Sequence, residues 1–283
     1  MSVQSQNLKP VLDQFHLDFD FEGTAARDPI EFPRSYLHPE DKEISGFIAS
    51  AFAYGNVNLF KPVVRKLLSK MGESPYSFIR QFDIKRQRKL FAGIKYRFNE
   101  NDDIIALFLI LHEILKKSDS LEKVFRQHYR IADADIGNAL TGLIDAMTGI
   151  DTTPVYGDNV KPAGLLQFIP SPRKGSACKR MNLYLRWMIR DKDIDFGIWK
   201  GIPKNKLIMP LDTHIARISR CLGFTGRKAQ DWKMAVEITD ALKKLDPEDP
   251  LKYDFALCHQ GISKVCSAKN CDSCRLFETD ITS

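Results

Sequence analysis

The sequence predicts an all-α protein. Apolar residues recur at helical spacing from Asp41 onward, and no segment alternates convincingly with a period of two. With 43% hydrophobic and 28% charged residues, the chain also has the apolar surface needed to build a core around those helices. At 283 residues it exceeds a typical single domain, and one compact body of two helical lobes is the expected organisation. The formal net charge of +6 falls well short of a histone-like tail but suits a basic face that meets phosphates.

The elements follow in order. After an irregular start containing Pro10, Pro29, Pro33 and Pro39, residues 41–71 read as two helices, 43–53 and 59–69. Ile44, Phe47, Ile48 and Ala51 mark the apolar stripe of the first, and Tyr54-Gly55-Asn56 is the break between them. Further helices are predicted over 84–94, 102–117, 121–128 and 136–147, and the prolines and glycines of 148–172 predict a long connection. Residues 176–190 contain neither proline nor glycine. Met181, Tyr184, Leu185 and Met188 form the stripe that should enter the core. Lys179, Asn182, Leu183, Arg186 and Arg190 form a second, mostly polar and basic stripe, expected to face water or phosphate. In the next helix Asp212 stands as N-cap, Ile215, Ile218 and Leu222 form the buried stripe, and Gly223 is the stop. A last helix is expected around 253–260. The lobes are expected to comprise roughly 41–222, as a helical barrel, and 1–40 with 223–283.

The opening Met1-Ser2-Val3-Gln4-Ser5-Gln6 has no basic region followed by an apolar run, and no stretch is long and apolar enough to span a bilayer. The expectation is a cytoplasmic protein with no membrane partner. In that compartment clustered cysteines point to metal rather than disulfides. Cys178 and Cys221 stand apart, whereas Cys258, Cys266, Cys271 and Cys274 are separated by seven, four and two residues. Four thiolates suit an iron-sulfur cluster, and a C-x-x-C pair suits zinc equally well, with His259 able to contribute. A metal-free loop of reduced thiols is the third reading.

The run Pro210-Leu211-Asp212-Thr213-His214-Ile215-Ala216-Arg217 is similar to the segment bearing the catalytic aspartate in DNA glycosylases of the endonuclease III superfamily, whose helix-hairpin-helix turn grips DNA. Lys179-Arg180-Met181-Asn182 resembles the place where that superfamily sets a catalytic lysine three residues before an asparagine. Gln260-Gly261, followed by Cys266, Cys271 and Cys274, is similar to the segment that leads into its cysteine-ligated cluster. The three landmarks occur in the family's order, between about residues 168 and 277, and 44–69 carries a fainter echo. Ile169-Pro170-Ser171-Pro172-Arg173-Lys174-Gly175 stands where the family has its Leu-Pro-Gly-Val-Gly type of hairpin, and no cysteine follows Cys274, so Cys258 would have to serve as the fourth ligand. As a whole the chain resembles a divergent bacterial family of unknown function related to these enzymes.

The resemblance implies an endonuclease III-like architecture, two helical lobes flanking a cleft with Lys179 and Asp212 inside it. The implied function is base-excision DNA repair by an N-glycosylase with abasic-site lyase activity. The implied partner is double-stranded DNA with a damaged or flipped base, met by a monomer at the bacterial nucleoid. Lys179 would attack C1′ of the flipped nucleotide, and Asp212 would stabilise the developing sugar cation and accept the lysine proton. An unperturbed lysine, with a pKa of about 10.4, is neutral only about once in a thousand near pH 7.4, so the site must favour the free amine. Arg173, Lys174, Arg180, Asn182, Arg186 and His214 are the implied DNA contacts. The implied cofactor is a 4Fe-4S cluster on Cys258, Cys266, Cys271 and Cys274, with zinc or no metal as the alternatives. Trp199 is either a core aromatic or a stacking surface for a base. Two readings from other classes stand beside this one: a nucleic-acid-binding protein that lacks the chemistry, and a helical interaction module in which Asp212 is only a cap.

Overall fold

The computed structural model describes residues 8–262, and helix is the only regular secondary structure among them. The all-α expectation is met. Two isolated bridges, Tyr96 with Asn99 and Ser176 with Asp231, are the β-type pairings among the described residues. None of the described helices is long and apolar enough to cross a membrane.

The chain forms two compact units, residues 25–174 and, among the described residues, 8–24 with 175–262. Helices α1 (Leu8–Leu17) and α2 (Phe21–Ala25) open the chain. The first unit is then built from α3 (Glu31–Arg34), α4 (Pro39–Phe52), α5 (Val57–Met71), α6 (Pro75–Arg80) and α7 (Ile84–Leu90). It continues with α8 (Asn101–Ser118), α9 (Leu121–His128), α10 (Gly137–Thr148), α11 (Thr153–Tyr156) and α12 (Ala163–Phe168). Its centre is α8, which packs against α6, α7, α9, α10, α11 and α12. Every residue from Ile104 to Leu111 is buried, and a helix apolar on all sides belongs inside a core. Its ends are fixed by a capping box, in which Glu100 N–H donates to Asp103 at 2.9 Å, and by Asp119 in the left-handed region at φ 61°. Two buried carboxylates of α4 fasten neighbouring helices. Glu43 accepts from the backbone N–H groups of Leu121 and Glu122 at the start of α9, and Asp41 accepts from Ser74 Oγ and Tyr76 N–H at the start of α6.

The second unit contains α13 (Lys179–Ile189), α14 (Thr213–Cys221), α15 (Trp232–Lys243) and α16 (Asp254–Ile262), packed with the opening segment. Asp13 of α1 accepts from Tyr253 Oη and Lys252 Nζ, both at 2.6 Å, while Phe19 and Phe21 lie against Phe255. The division therefore falls at 24/25 and 174/175 rather than at the expected 40/41 and 222/223. The reason is that α13 and α14 are bound to α16 and to the segments flanking it.

The second stripe of α13 is a correction to the sequence reading. Arg186 and Arg190 are buried, not turned to water or phosphate. Arg186 pairs with Asp254 and, at 3.2 Å, with Asp195; Arg190 pairs with Asp249, Asp193 and Asp195 at 3.0, 2.6 and 3.0 Å. Guanidinium forks can be buried only when carboxylates satisfy them. Here the aspartates come from the 193–195 loop and from the segment entering α16. Four carboxylates around two guanidiniums leave an excess of negative charge. Burial, together with neighbouring Asp212 and Asp195, pushes the Asp254 carboxyl up to about 6 against the pull of Arg186.

Candidate active site

Lys179 and Asp212 each stand at a helix N-terminus. Lys179 is the first residue of α13, behind Cys178, which holds the left-handed conformation at φ 48°. A cation at the positive end of a helix runs against the helix dipole, so this lysine is not placed for helix stability. Asp212 is extended and caps α14: its Oδ1 accepts from the N–H groups of His214 and Ile215 at 2.9 and 2.8 Å. Its other oxygen, Oδ2, lies 3.0 Å from Lys179 Nζ. The lysine side chain is 35% exposed and that of Asp212 13%, so the amine can be reached from solvent while the carboxylate is mostly enclosed. Burial raises the Asp212 carboxyl, but the Lys179 charge and the Ile215 N–H outweigh it and hold the group below its ordinary value. Asp212 is thus an anion at neutral pH.

A third group at this point was not foreseen in its role. Cys258 of α16 directs its Sγ to the same Asp212 Oδ2, at 3.6 Å, as a thiol donor. Helix α16 can bring it there because Gly261, one turn on, packs against α14. A Cβ at that glycine would meet His214 Cβ at 2.7 Å and Ile218 Cδ1 at 3.2 Å. Arg217 of α14 donates to Gly261 O at 3.0 Å and completes the seam. Asp254, Cys258 and Gly261 recur at i, i+4 and i+7, so a helical reading of 254–261, rather than a count of cysteine spacings, would have put all three on one face.

The remaining sequence-derived positions fare differently. Asn182 is fully buried and its Nδ2 donates to Ala177 O at 3.2 Å; it fastens the turn that delivers Lys179 and is withdrawn as a DNA contact. Arg186 is withdrawn for the reason given above. His214 is half-buried against Gly261, with Nδ1 enclosed. Arg180 is half-buried at the second position of α13, whereas Lys174 is exposed in the 3-10 turn Pro172–Lys174. Arg173, in the same turn, is paired with Asp145 at 2.9 Å. Trp199 is 1% exposed, with its ring edge-on to Tyr184 at 5.5 Å, which makes it a core residue rather than a base-stacking surface. Cys178 is buried and its thiol is pushed up to about 12 by burial, leaving little thiolate.

Cys266, Cys271 and Cys274 lie outside the described residues. Cys258, the one described member of that set, has its Sγ 3.6 Å from Asp212 Oδ2. Among the described residues no group of three or more histidine, cysteine, aspartate and glutamate side chains could hold a metal ion.

Together these observations define a protein that is helical throughout its described residues, with an ammonium–carboxylate pair shared between two helix starts. The chain belongs to the family described as Protein of unknown function (DUF2400), which matches residues 28–263. No curated protein and no solved structure matches it.

Proposed function

We propose that this protein is a DNA base-excision enzyme, an N-glycosylase with abasic-site lyase activity on an endonuclease III-like architecture, using Lys179 as nucleophile and Asp212 as its electrostatic partner. The observation that carries the reading is the 3.0 Å contact between Lys179 Nζ and Asp212 Oδ2. Two residues 33 positions apart, selected from sequence as a catalytic pair, meet at the ends of two helices.

In the reaction the Lys179 amine attacks C1′ of a flipped nucleotide, and the bond from C1′ to the base breaks with its electron pair leaving on the base. The base takes up one proton of the amine, the C1′–O4′ bond breaks with its electron pair on O4′, which takes up the other, and the opened sugar is held as an imine. Loss of a C2′ proton to a base, with the C3′–O bond breaking and its electron pair leaving on the 3′ phosphate, then cuts the strand. Asp212 Oδ2 is fixed as an anion beside the amine, where positive charge develops on the sugar. Because Oδ1 is held by two backbone N–H groups, the carboxylate is oriented before substrate arrives. Substrate must part the ion pair, since the nucleophile is the free amine and not the ammonium. Lys174 and Arg180 remain the proposed phosphate contacts near the pair in sequence.

The test is borohydride trapping on duplexes bearing an abasic site, oxoguanine, uracil or an alkylated base. A covalent adduct that disappears in Lys179→Ala is the expected result. Failure of every duplex in the panel to give an adduct or to lose its base would remove the reading.

A further inference from the structure

Away from the Lys179–Asp212 site, a strong charge asymmetry lies in residues 61–97. This stretch holds eleven lysines and arginines against two acids, a net +9, whereas the whole chain carries +6, so all other residues together sum to −3. The stretch comprises most of α5, all of α6 and α7, and the turn before α8. Several of its cations are already used: Lys61 and Arg65 pair with Glu31, Arg80 with Asp119, and Arg88 with Asp102. Lys70, Lys85, Arg86 and Lys89 form no ion pair among the described residues, and they line one open groove of about 950 Å³ between the end of α5 and α7.

Asp83 is the single acid among the residues lining this groove, and it caps α7 by accepting from Arg86 N–H at 2.8 Å. Four cations converging on one concavity repel one another, and Asp83 alone among its lining residues offsets them. We infer that this groove is a docking surface for the phosphodiester backbone of a nucleic acid. A polyphosphate ridge supplies closely spaced anions along a line, and neutralising it releases condensed counterions, which is the main source of affinity in such contacts. An anionic membrane is the competing surface for a polybasic patch. Membrane binding by a surface helix also calls for exposed large apolar residues beside the charges. Here the apolar lining residues, Met71, Phe78 and Leu90, are buried or half-buried, while Lys85, Arg86 and Lys89 are exposed. The inference does not depend on the chemistry proposed for Lys179 and Asp212.

The experiment compares the full chain with a triple variant, Lys70→Gln, Lys85→Gln and Lys89→Gln, and with a charge-matched control, Lys116→Gln, Lys117→Gln and Lys123→Gln, whose lysines are exposed on α8 and α9. Binding of a fluorescent DNA duplex is followed by anisotropy over a salt series. Far-UV circular dichroism checks that all three proteins are folded. The groove variant is expected to lose about one unit of salt slope per lysine removed and at least about tenfold in affinity at low salt, with a much smaller loss in the control. Equal losses in the two triples would overturn the groove, as would a wild type that binds vesicles of phosphatidylcholine and phosphatidylserine but no duplex. Borohydride trapping, scored separately, decides the Lys179 reading. Loss of that reading with groove-dependent binding intact, or the reverse, tells the two apart.

Discussion

At Asp212, Oδ1 serves the helix while Oδ2 faces Lys179 and Cys258, so substitutions can separate the two duties. Asp212→Asn retains an oxygen acceptor for the cap and removes the charge. We expect its stability to change by no more than about 1 kcal/mol, while adduct formation or base release falls about 100-fold or more. Asp212→Ala removes the cap as well, at a further cost of about 1 kcal/mol in chemical denaturation. If the Asn variant keeps full activity and only the Ala variant is destabilised, the aspartate is a cap and nothing else. Lys179→Ala is expected to abolish trapped adducts while leaving duplex affinity nearly unchanged, because one half-exposed amine supplies a small share of the total phosphate attraction. Asp212 was legible because both its cap position and its motif are local. The contact of Cys258 with Asp212 was not legible, because a linear spacing of thiols does not reveal which way its helix turns it. Arg186 and Arg190 were misread because their aspartate partners lie in loops and helix entries that periodicity does not place.

At the scale of elements, the seam of α14 with α16 and the ion cluster behind it carry distinct expectations. Gly261→Ala adds a methyl that meets a fixed Cβ rather than a flexible tip, so it should destabilise by about 1–3 kcal/mol and lower adduct formation by shifting Cys258 and Asp212. A thermal melt with unchanged midpoint would show that α16 can move aside. Asp254, with its carboxyl raised to about 6, takes up a proton in the folded state at a pH where the unfolded chain stays ionised. The unfolded state therefore binds fewer protons in that window, and the contribution of this group to stability increases as pH falls from 7 through 6 toward 4. Denaturant titrations at stepped pH should find this slope in the wild type and a flatter one in Asp254→Asn, whatever the absolute cost of the substitution. Helices with a strong apolar stripe, α4, α5, α8, α9 and α10, were legible to within a few residues. The short helices α3, α6, α11 and α12 were not, since they are too brief to show a period, and α11 and α12 fall within what reads as a long connection. Helix α15 carries a regular stripe of Met234, Ala235, Ile238 and Leu242 and was simply not singled out.

For the whole molecule, the division into units gives an asymmetric expectation. Residues 25–174 are continuous and own a complete core around α8, so expressed alone they should give a cooperative helical melt by circular dichroism. Residues 175–283 lack the opening segment that covers Phe255 and supplies Asp13, and alone they should melt earlier and less cooperatively than they do with residues 1–24 supplied as a peptide. Equal melts with and without that peptide would make the opening segment an ornament of the fold. The prolines and glycines that end near residue 172 adjoin the second boundary, whereas no change in residue usage marks position 25.

The contact between Asp13 and Tyr253 spans 240 positions of the chain. At about 5–20 residues per second, a ribosome takes roughly 12–48 s to deliver the second partner after the first. Throughout that interval Phe19 and Phe21 have no Phe255 to rest on, while residues 25–174 emerge and can fold as a finished body. Birth order thus runs against assembly order, and a later-made turn must find an earlier-made one. Cellular factors that shelter emerging apolar segments should therefore matter more for the yield of this protein than for its stability once made.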